Sequence, residues 1–291
     1  MSGVQRDRSE AGTTDAPEAP DAAAPVLLDV GCLKVHLRLG HAVIRAVDGV
    51  DFQVRQGECV GIVGESGSGK STLARGITRL MPNVKIAELS GNLRFEGRDI
   101  LNMGDRELRT LRRGRGFSMI FQDPLGYLNP TQRVGRQIGE ALSQDATTGS
   151  YESRVWALLD EVGLPDPKNI ARRYPHELSG GMRQRVMIAI ALASDPKLLF
   201  ADEPTTALDA TVQLQVLQTL HRLHRERNMA MAIITHDLGV VAELCDRVYV
   251  MHTGKVVESA TTVELFENPQ HPYSARLIDL STRRISQEHR S

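Results

Sequence analysis

The chain has 291 residues, of which 41% are hydrophobic and 24% charged, with a formal net charge of −1. That length supports one large domain or two modest ones around a sizeable core. The near-neutral balance excludes a broadly basic footprint, so no nucleic-acid partner is expected.

In chain order, "MSGVQRDRSEAGTTDAPEAPDAAAP" lacks the apolar core of a signal peptide and reads as a disordered leader over residues 1–25. From Val26 the pattern is β-rich: "VLLDVGCLKVHLRL", "AVDGVDFQV" and "CVGIVG" are short apolar runs bounded by Gly and Asp. "NLRFEGRDI" predicts another strand and turn, and "GFSMIF" one more. Helical spacing follows in "GRQIGEAL" and "ESRVWALLDEVGL", on either side of the polar break "SQDATTGS", which reads as a surface loop. Beyond Ser179, the residues Met182, Val186, Ala189, Ile190 and Ala193 predict one apolar helix face. "KLLFADE" and "MAMAIITHD" read as buried strands, separated by a helix striped with Val212, Val216, Leu217, Leu220 and Leu223. Strands alternating with helices indicate a parallel sheet covered on both faces, with a mostly helical subdomain inserted. The last eleven residues, "STRRISQEHRS", read as a solvated tail over 281–291.

Three cysteines, Cys32, Cys59 and Cys245, are scattered and odd in number. They argue against a disulfide framework or zinc site and read as reduced, mostly buried thiols. No run of about eighteen apolar residues occurs, so the chain is not expected to cross a membrane by itself. A cytosolic protein is expected.

Chemistry concentrates in a few stretches. "GESGSGKS" fits G-x-x-x-x-G-K-[ST] and lies between an apolar strand and a helix beginning "STLARGITRL". Gly64, Gly67 and Gly69 allow backbone N–H groups to close around phosphate oxygens, together with Glu65, Ser66 and Ser68 of the same loop and Thr72 just after it. Lys70 supplies a point charge to the β- and γ-phosphates, and the Ser71 hydroxyl suits Mg2+. "KLLFADEP" ends on Asp202 and Glu203. Two acids before a proline could simply cap a turn; with a phosphate loop upstream, Asp202 suits Mg2+ ligation and Glu203 suits the activation of water. His236 ends a second apolar strand, where a lone histidine is more often a satisfied strand-end residue than a catalytic one, although a neutral imidazole could donate to a γ-phosphate or fix the base. Gln122, in "FQDP", could sense the same phosphate, although surface glutamines before a turn are common. "LSGGMRQR" opens a helix at Ser179, Gly180 and Gly181, which is a second anion-facing helix start or a glycine-opened helix with no ligand.

Taken together, these pieces resemble the nucleotide-binding domain of an ABC ATPase over residues 26–280. The phosphate loop, Gln122, "LSGG", "LLFADEP" with "TALD", and His236 occur in that family's order. The resemblance implies a P-loop NTPase α/β core, an N-terminal antiparallel β subdomain and a helical subdomain over about 123–194. It implies ATP and Mg2+ as ligands, and head-to-tail pairing in which Ser179, Gly180 and Gly181 bind the γ-phosphate of the partner's ATP. Asp209 of "TALD" joins the nucleotide-binding set, Gln122 joins Ser71 and Asp202 around the metal, and His236 joins Glu203 in catalysis. The family's usual aromatic stack on adenine is missing from "LRLGHAVIRAVDGV", which offers only His41 and Ile44; Ile44 is taken as the base contact, with weaker base selectivity expected.

"YPHELSGGMRQRVMIAIALA", "ADEPTTALD" and "NPQHPYSARLIDL" look like the ATPase subunits of dipeptide, oligopeptide and nickel importers, specifically the D-type member. That narrower resemblance implies a second, F-type ATPase, two permease subunits and an extracytoplasmic solute-binding protein, at the cytoplasmic face of the inner membrane. No iron–sulfur cluster is expected, because the chain lacks the clustered cysteines of some relatives. The alternatives are a soluble ABC ATPase acting on DNA or ribosomes and an ABC subunit of a carbon–phosphorus lyase assembly. The long coiled coil or second domain of the former is missing, and Met182 with "LNP" favours transport over the latter.

Overall fold

Strand patterning produces two sheets that share one core. The computed structural model describes residues 24–81, 84–142, 150–206 and 208–288. Most of the leader, residues 143–149 of the polar break and the last three residues of the tail lie outside these. The order is β1 (Val26–Leu39), β2 (Ala42–Arg55), β3 (Cys59–Val63), α1 (Lys70–Thr78), β4 (Lys85–Phe95), β5 (Arg98–Asp99), α2 (Asp105–Arg113) and β6 (Phe117–Ile120). Five helices follow: α3 (Pro124–Tyr127), α4 (Val134–Ala141), α5 (Tyr151–Glu161), α6 (Pro167–Ile170) and α7 (Gly180–Leu192). The chain then returns to the sheet through β7 (Leu198–Asp202), α8 (Ala210–Arg227), β8 (Ala230–Ile234), α9 (Leu238–Leu244), β9 (Arg247–His252) and β10 (Lys255–Thr261). It closes with α10 (Thr262–Glu267) and α11 (Pro272–Glu288).

An antiparallel sheet of order β2-β1-β4-β5 stands beside a six-stranded sheet of order β10-β9-β3-β8-β7-β6, whose strands are parallel apart from β10. Side-chain alternation divides each central strand between two apolar layers. On β3, Cys59 and Val63 enter the layer shared with the helices, while Val60 and Ile62 enter the layer against the other sheet. On β7, Leu199 and Ala201 take the helical side and Leu198 and Phe200 the sheet side. Strands buried on both faces read as unbroken apolar runs, which is why "CVGIV" and "LLFA" carry no polar alternation.

Register turns this core into a site. Ile62 pairs with Ile234, Asp202 also pairs with Ile234, and Ile120 pairs with Ala201. Because the strands run parallel, the residues that follow β3, β6, β7 and β8 leave the sheet along one edge. That edge is where ligands of open α/β sheets bind.

The single apolar face expected for α7 is corrected by the structure. Met187, Ile188, Ala191 and Leu192 are buried as well as Val186 and Ala189, and so is Gln184. The helix packs against β6 on one side and against α3, α4, α5 and α8 on others, so little of its surface meets water. The cysteine reading also divides: Cys59 and Cys245 are buried with their sulfurs 3.9 Å apart, whereas Cys32 is exposed. The segment from residue 281 is helical to Glu288, as the continuation of α11.

Candidate active site

The phosphate loop leaves β3 at Gly64 and enters α1 at Lys70. Gly64, Gly67 and Gly69 all have positive φ, at 147°, 81° and 104°. At Gly64 a Cβ would stand 2.1 Å from the Met251 carbonyl oxygen, and at Gly69 2.2 Å from that of Ala46. Backbone from β9 and β2 therefore presses against the loop where only glycine fits. The Gly254 N–H donates to the Ser68 carbonyl oxygen at 2.9 Å, so the β9–β10 turn buttresses the loop a third time.

Lys70 is buried, and its ammonium donates to the carbonyl oxygens of Gly64 at 2.7 Å and Glu65 at 2.9 Å. Burial pushes its pKa down, while the carboxylates of Glu203 and Asp202 pull it back up. Ser71 donates its hydroxyl to Asp202 Oδ1 at 2.6 Å. Asp202 is fully buried, and its Oδ2 accepts no hydrogen bond among the described residues; Arg75 Nη2 stands 3.6 Å away. Burial raises the Asp202 pKa, and the Ser71 hydrogen bond followed by the Arg75 charge offsets part of that rise.

Glu203 turns out of β7 with φ 45°, a left-handed conformation that strains a non-glycine residue by roughly 1–3 kcal/mol. Its N–H still donates to the Ile234 carbonyl at 2.9 Å, extending the β7–β8 ladder by one step. Three groups surround the carboxylate. Gln122 Nε2 donates to Oε2 at 3.1 Å, Thr206 Oγ1 donates to Oε2 at 2.7 Å, and His236 Nδ1 lies 3.5 Å from Oε1. The Glu203 side chain is 18% exposed and that of His236 59%, so the carboxylate is sheltered yet reachable.

The fold thus brings Lys70, Ser71, Asp202, Glu203, Gln122 and His236 from four segments to one edge. Gln122, expected at the metal as well as at the phosphate, bonds to Glu203; the Ser71 and Asp202 pair is closed without it. Ser179, Gly180, Gly181 and Asp209 are held elsewhere. Ser179 caps α7 by accepting the Met182 N–H at 3.3 Å, and Asp209 caps α8 by accepting the Val212 N–H at 3.0 Å. A Cβ on Gly181 would stand 2.5 Å from Val212 Cγ1, so the two helix starts pack on each other. No hydrogen bond joins Ser179, Gly180 or Gly181 to residues 64–72 among the described residues. Ile44 is 46% exposed on β2, two residues before Ala46, whose carbonyl abuts Gly69.

Sequence reading did not assign Thr206, Arg75 or Tyr273. Thr206 lies three residues after Glu203, within one turn, and Arg75 lies one helical turn after Ser71; both spacings carried the information. Tyr273 donates nothing to that pattern, because its partner Glu65 is remote in sequence. A cavity of about 650 Å³ between α2 and the β4–β5 turn, lined by Glu96, Arg98, Glu107 and Lys197 among others, includes no phosphate-loop residue.

The chain is similar to known proteins over most of its length. Residues 47–206 match the family described as ABC transporter. A probable peptide ABC transporter ATP-binding protein of Sinorhizobium fredii is 48% identical over 258 residues, covering 88% of this chain and 77% of that protein. The oligopeptide transport ATP-binding protein OppD of Salmonella typhimurium is 48% identical over 267 residues, covering 91% of this chain and 78% of OppD. Among solved structures, the dimeric post-hydrolysis form of the ATP-binding cassette MJ0796 bound to ADP and Pi superposes with a TM-score of 0.71 at 28% identity, over 81% of this chain and 99% of that one.

Proposed function

This chain belongs to the ABC transporter family of ATPases, and on that premise we propose that it is the D-type ATP-hydrolysing subunit of a peptide importer. The observation that carries the catalytic part is the Glu203 carboxylate, ringed by Gln122, Thr206 and His236 beside the Ser71–Asp202 pair.

The residues fit a magnesium nucleotide. Gly64, Gly67 and Gly69 give the loop the positive φ its curl needs, Lys70 brings a buried cation, and Asp202 Oδ2 is a buried oxygen with no hydrogen-bond donor among the described residues. Ser71 and Asp202 would hold Mg2+, which supplies charge neutralisation on the phosphate oxygens when bound. With two of its ammonium hydrogens on the Gly64 and Glu65 carbonyl oxygens, Lys70 would offer the third to a phosphate oxygen as a charge-assisted hydrogen bond. Loop N–H groups at the start of α1 add the favourable end of the helix dipole. Two donors occupy Glu203 Oε2, so Oε1 is the oxygen left to take a proton from water. His236 stands beside that oxygen and suits the γ-phosphate edge. Ile44 gives the base an aliphatic surface in place of an aromatic ring.

Ser179, Gly180 and Gly181 are best read as acting in trans on a partner's nucleotide, since their own hydrogen bonds stay within α7. We assign as partners an F-type ATPase, two permease subunits and an extracytoplasmic solute-binding protein, at the cytoplasmic face of the inner membrane. One fact supports a docked partner: Leu125 and Tyr127 are 58% and 47% exposed just after Gln122, with Tyr127 stacked on Phe121. An apolar patch next to Gln122 suits docking of another protein. The relatives reported above are transport ATP-binding proteins, and none is a lyase component.

The test is affinity purification of the Glu203→Gln variant from native membranes solubilised with ATP and Mg2+. Two polytopic permeases and a second ABC subunit are expected among the co-purifying chains. Soluble partners without permeases would end the importer reading.

A further inference from the structure

The peptide joining Gly64 to Glu65 is held at both ends. Its carbonyl oxygen accepts from Lys70 Nζ at 2.7 Å, and its N–H donates to the Tyr273 hydroxyl at 2.9 Å. Gly64 has φ 147°, so the backbone on one side of this peptide has the freedom of glycine and offers little resistance to a flip. A flip would turn the carbonyl away from Lys70 and the N–H toward it, and would move the ammonium off its position in the loop. Tyr273 supplies the contact that opposes this.

Its own placement is secured independently. The Glu258 carboxylate on β10 accepts the N–H groups of Gln270 at 2.7 Å and His271 at 2.9 Å, clipping the entry to α11 onto the sheet. The Tyr273 N–H donates to His271 Nδ1 at 3.2 Å, and its ring packs 4.0 Å from the ring of His252 at the end of β9. The phenol is thus carried by a rigid support, which is what a positioning group requires.

We infer that Tyr273 is a positioning residue of the phosphate loop, so that the segment from Gln270 to Tyr273 belongs to the nucleotide site although it lies far along the chain. The inference rests on the ATPase reading of that loop. By linkage, nucleotide that tightens the loop also protects the start of α11.

The experiment uses the full chain with Tyr273→Phe, which keeps the ring on His252 and removes only the hydroxyl. Affinity for MgATP and MgADP is expected to fall about three- to tenfold, the usual range for one hydrogen bond. In the assembled ATPase the loss lies in KM. The Glu65 amide should exchange with deuterium faster, while the melting temperature stays within about 2 °C of wild type. Tyr151→Phe serves as the control, because that hydroxyl contacts the Gly135 and Arg136 carbonyls and no loop residue. Wild-type affinity together with wild-type exchange at Glu65 overturns the inference. So does a loss of affinity that merely tracks a lowered melting temperature. Failure of the wild-type chain to bind MgATP would instead overturn the ATPase reading.

Discussion

The Ser71 hydroxyl donates to Asp202 Oδ1 at 2.6 Å, tying the first turn of α1 to the last residue of β7. One carboxylate oxygen is thereby satisfied by protein, and the other is buried without a hydrogen-bond donor among the described residues. The pair is both the proposed Mg2+ position and a weak point of the fold.

That cost has a pH dependence. Burial raises the Asp202 pKa, so its contribution to stability is fully present below the ordinary carboxylate value and is lost as pH rises through the raised one. At neutral pH the buried charge opposes folding. Asp202→Asn keeps an oxygen for Ser71 and removes the charge. Thermal melts should show the nucleotide-free variant more stable than wild type at pH 7, with the difference shrinking toward pH 4. The rise in melting temperature that MgATP gives wild type should disappear. A variant less stable than wild type at pH 7 would refute this account.

Glu203→Gln leaves Oε1 or its amide equivalent next to His236 and retains an oxygen for Gln122 and Thr206. What it loses is basicity. Phosphate release should fall by about 10²–10⁴-fold, with ATP affinity unchanged in equilibrium binding. Near-normal turnover would remove Glu203 as the base.

Ser179→Arg places a long cation at the start of α7 without touching the phosphate loop. The isolated chain should bind ATP as wild type does, while hydrolysis in the assembled complex fails at the site shared with the partner. Lost ATP binding by the isolated chain would show that Ser179 serves its own loop.

Gly69→Ala tests the backbone requirement directly. A positive φ of 104° costs an L-residue roughly 1–3 kcal/mol, and the methyl would also meet the Ala46 carbonyl. Both melting temperature and ATP affinity should drop. Gly97→Ala is the comparison: φ is 75° but nothing lies within 4 Å, so only the strain remains and ATP affinity should hold.

Much of the site was legible before any coordinates. Unbroken apolar runs announced strands buried on both faces, and the glycines of "GESGSGKS" announced a loop whose backbone N–H groups can close around phosphate. Helix periodicity was less informative in α7, because a helix enclosed by sheet and helices has no polar face to mark its orientation. Ser179–Gly181 make no hydrogen bond to their own phosphate loop among the described residues, and the trans contact proposed for them would leave no trace in one chain's hydrogen bonds.

What the sequence determined by itself is local: which segments are strands, where the backbone has the freedom of glycine, and which residue types are available to hold phosphate, metal and water. Tertiary structure decided which of them meet. Parallel register put Gln122, Glu203 and His236 at one edge although they follow three different strands. It set Arg75 beside Asp202, closed Cys59 on Cys245, and laid Tyr273 against Glu65. Pattern encodes a residue's solvent exposure and its neighbours within a turn. Contacts between remote segments arise only when sheet register and helix packing bring them together.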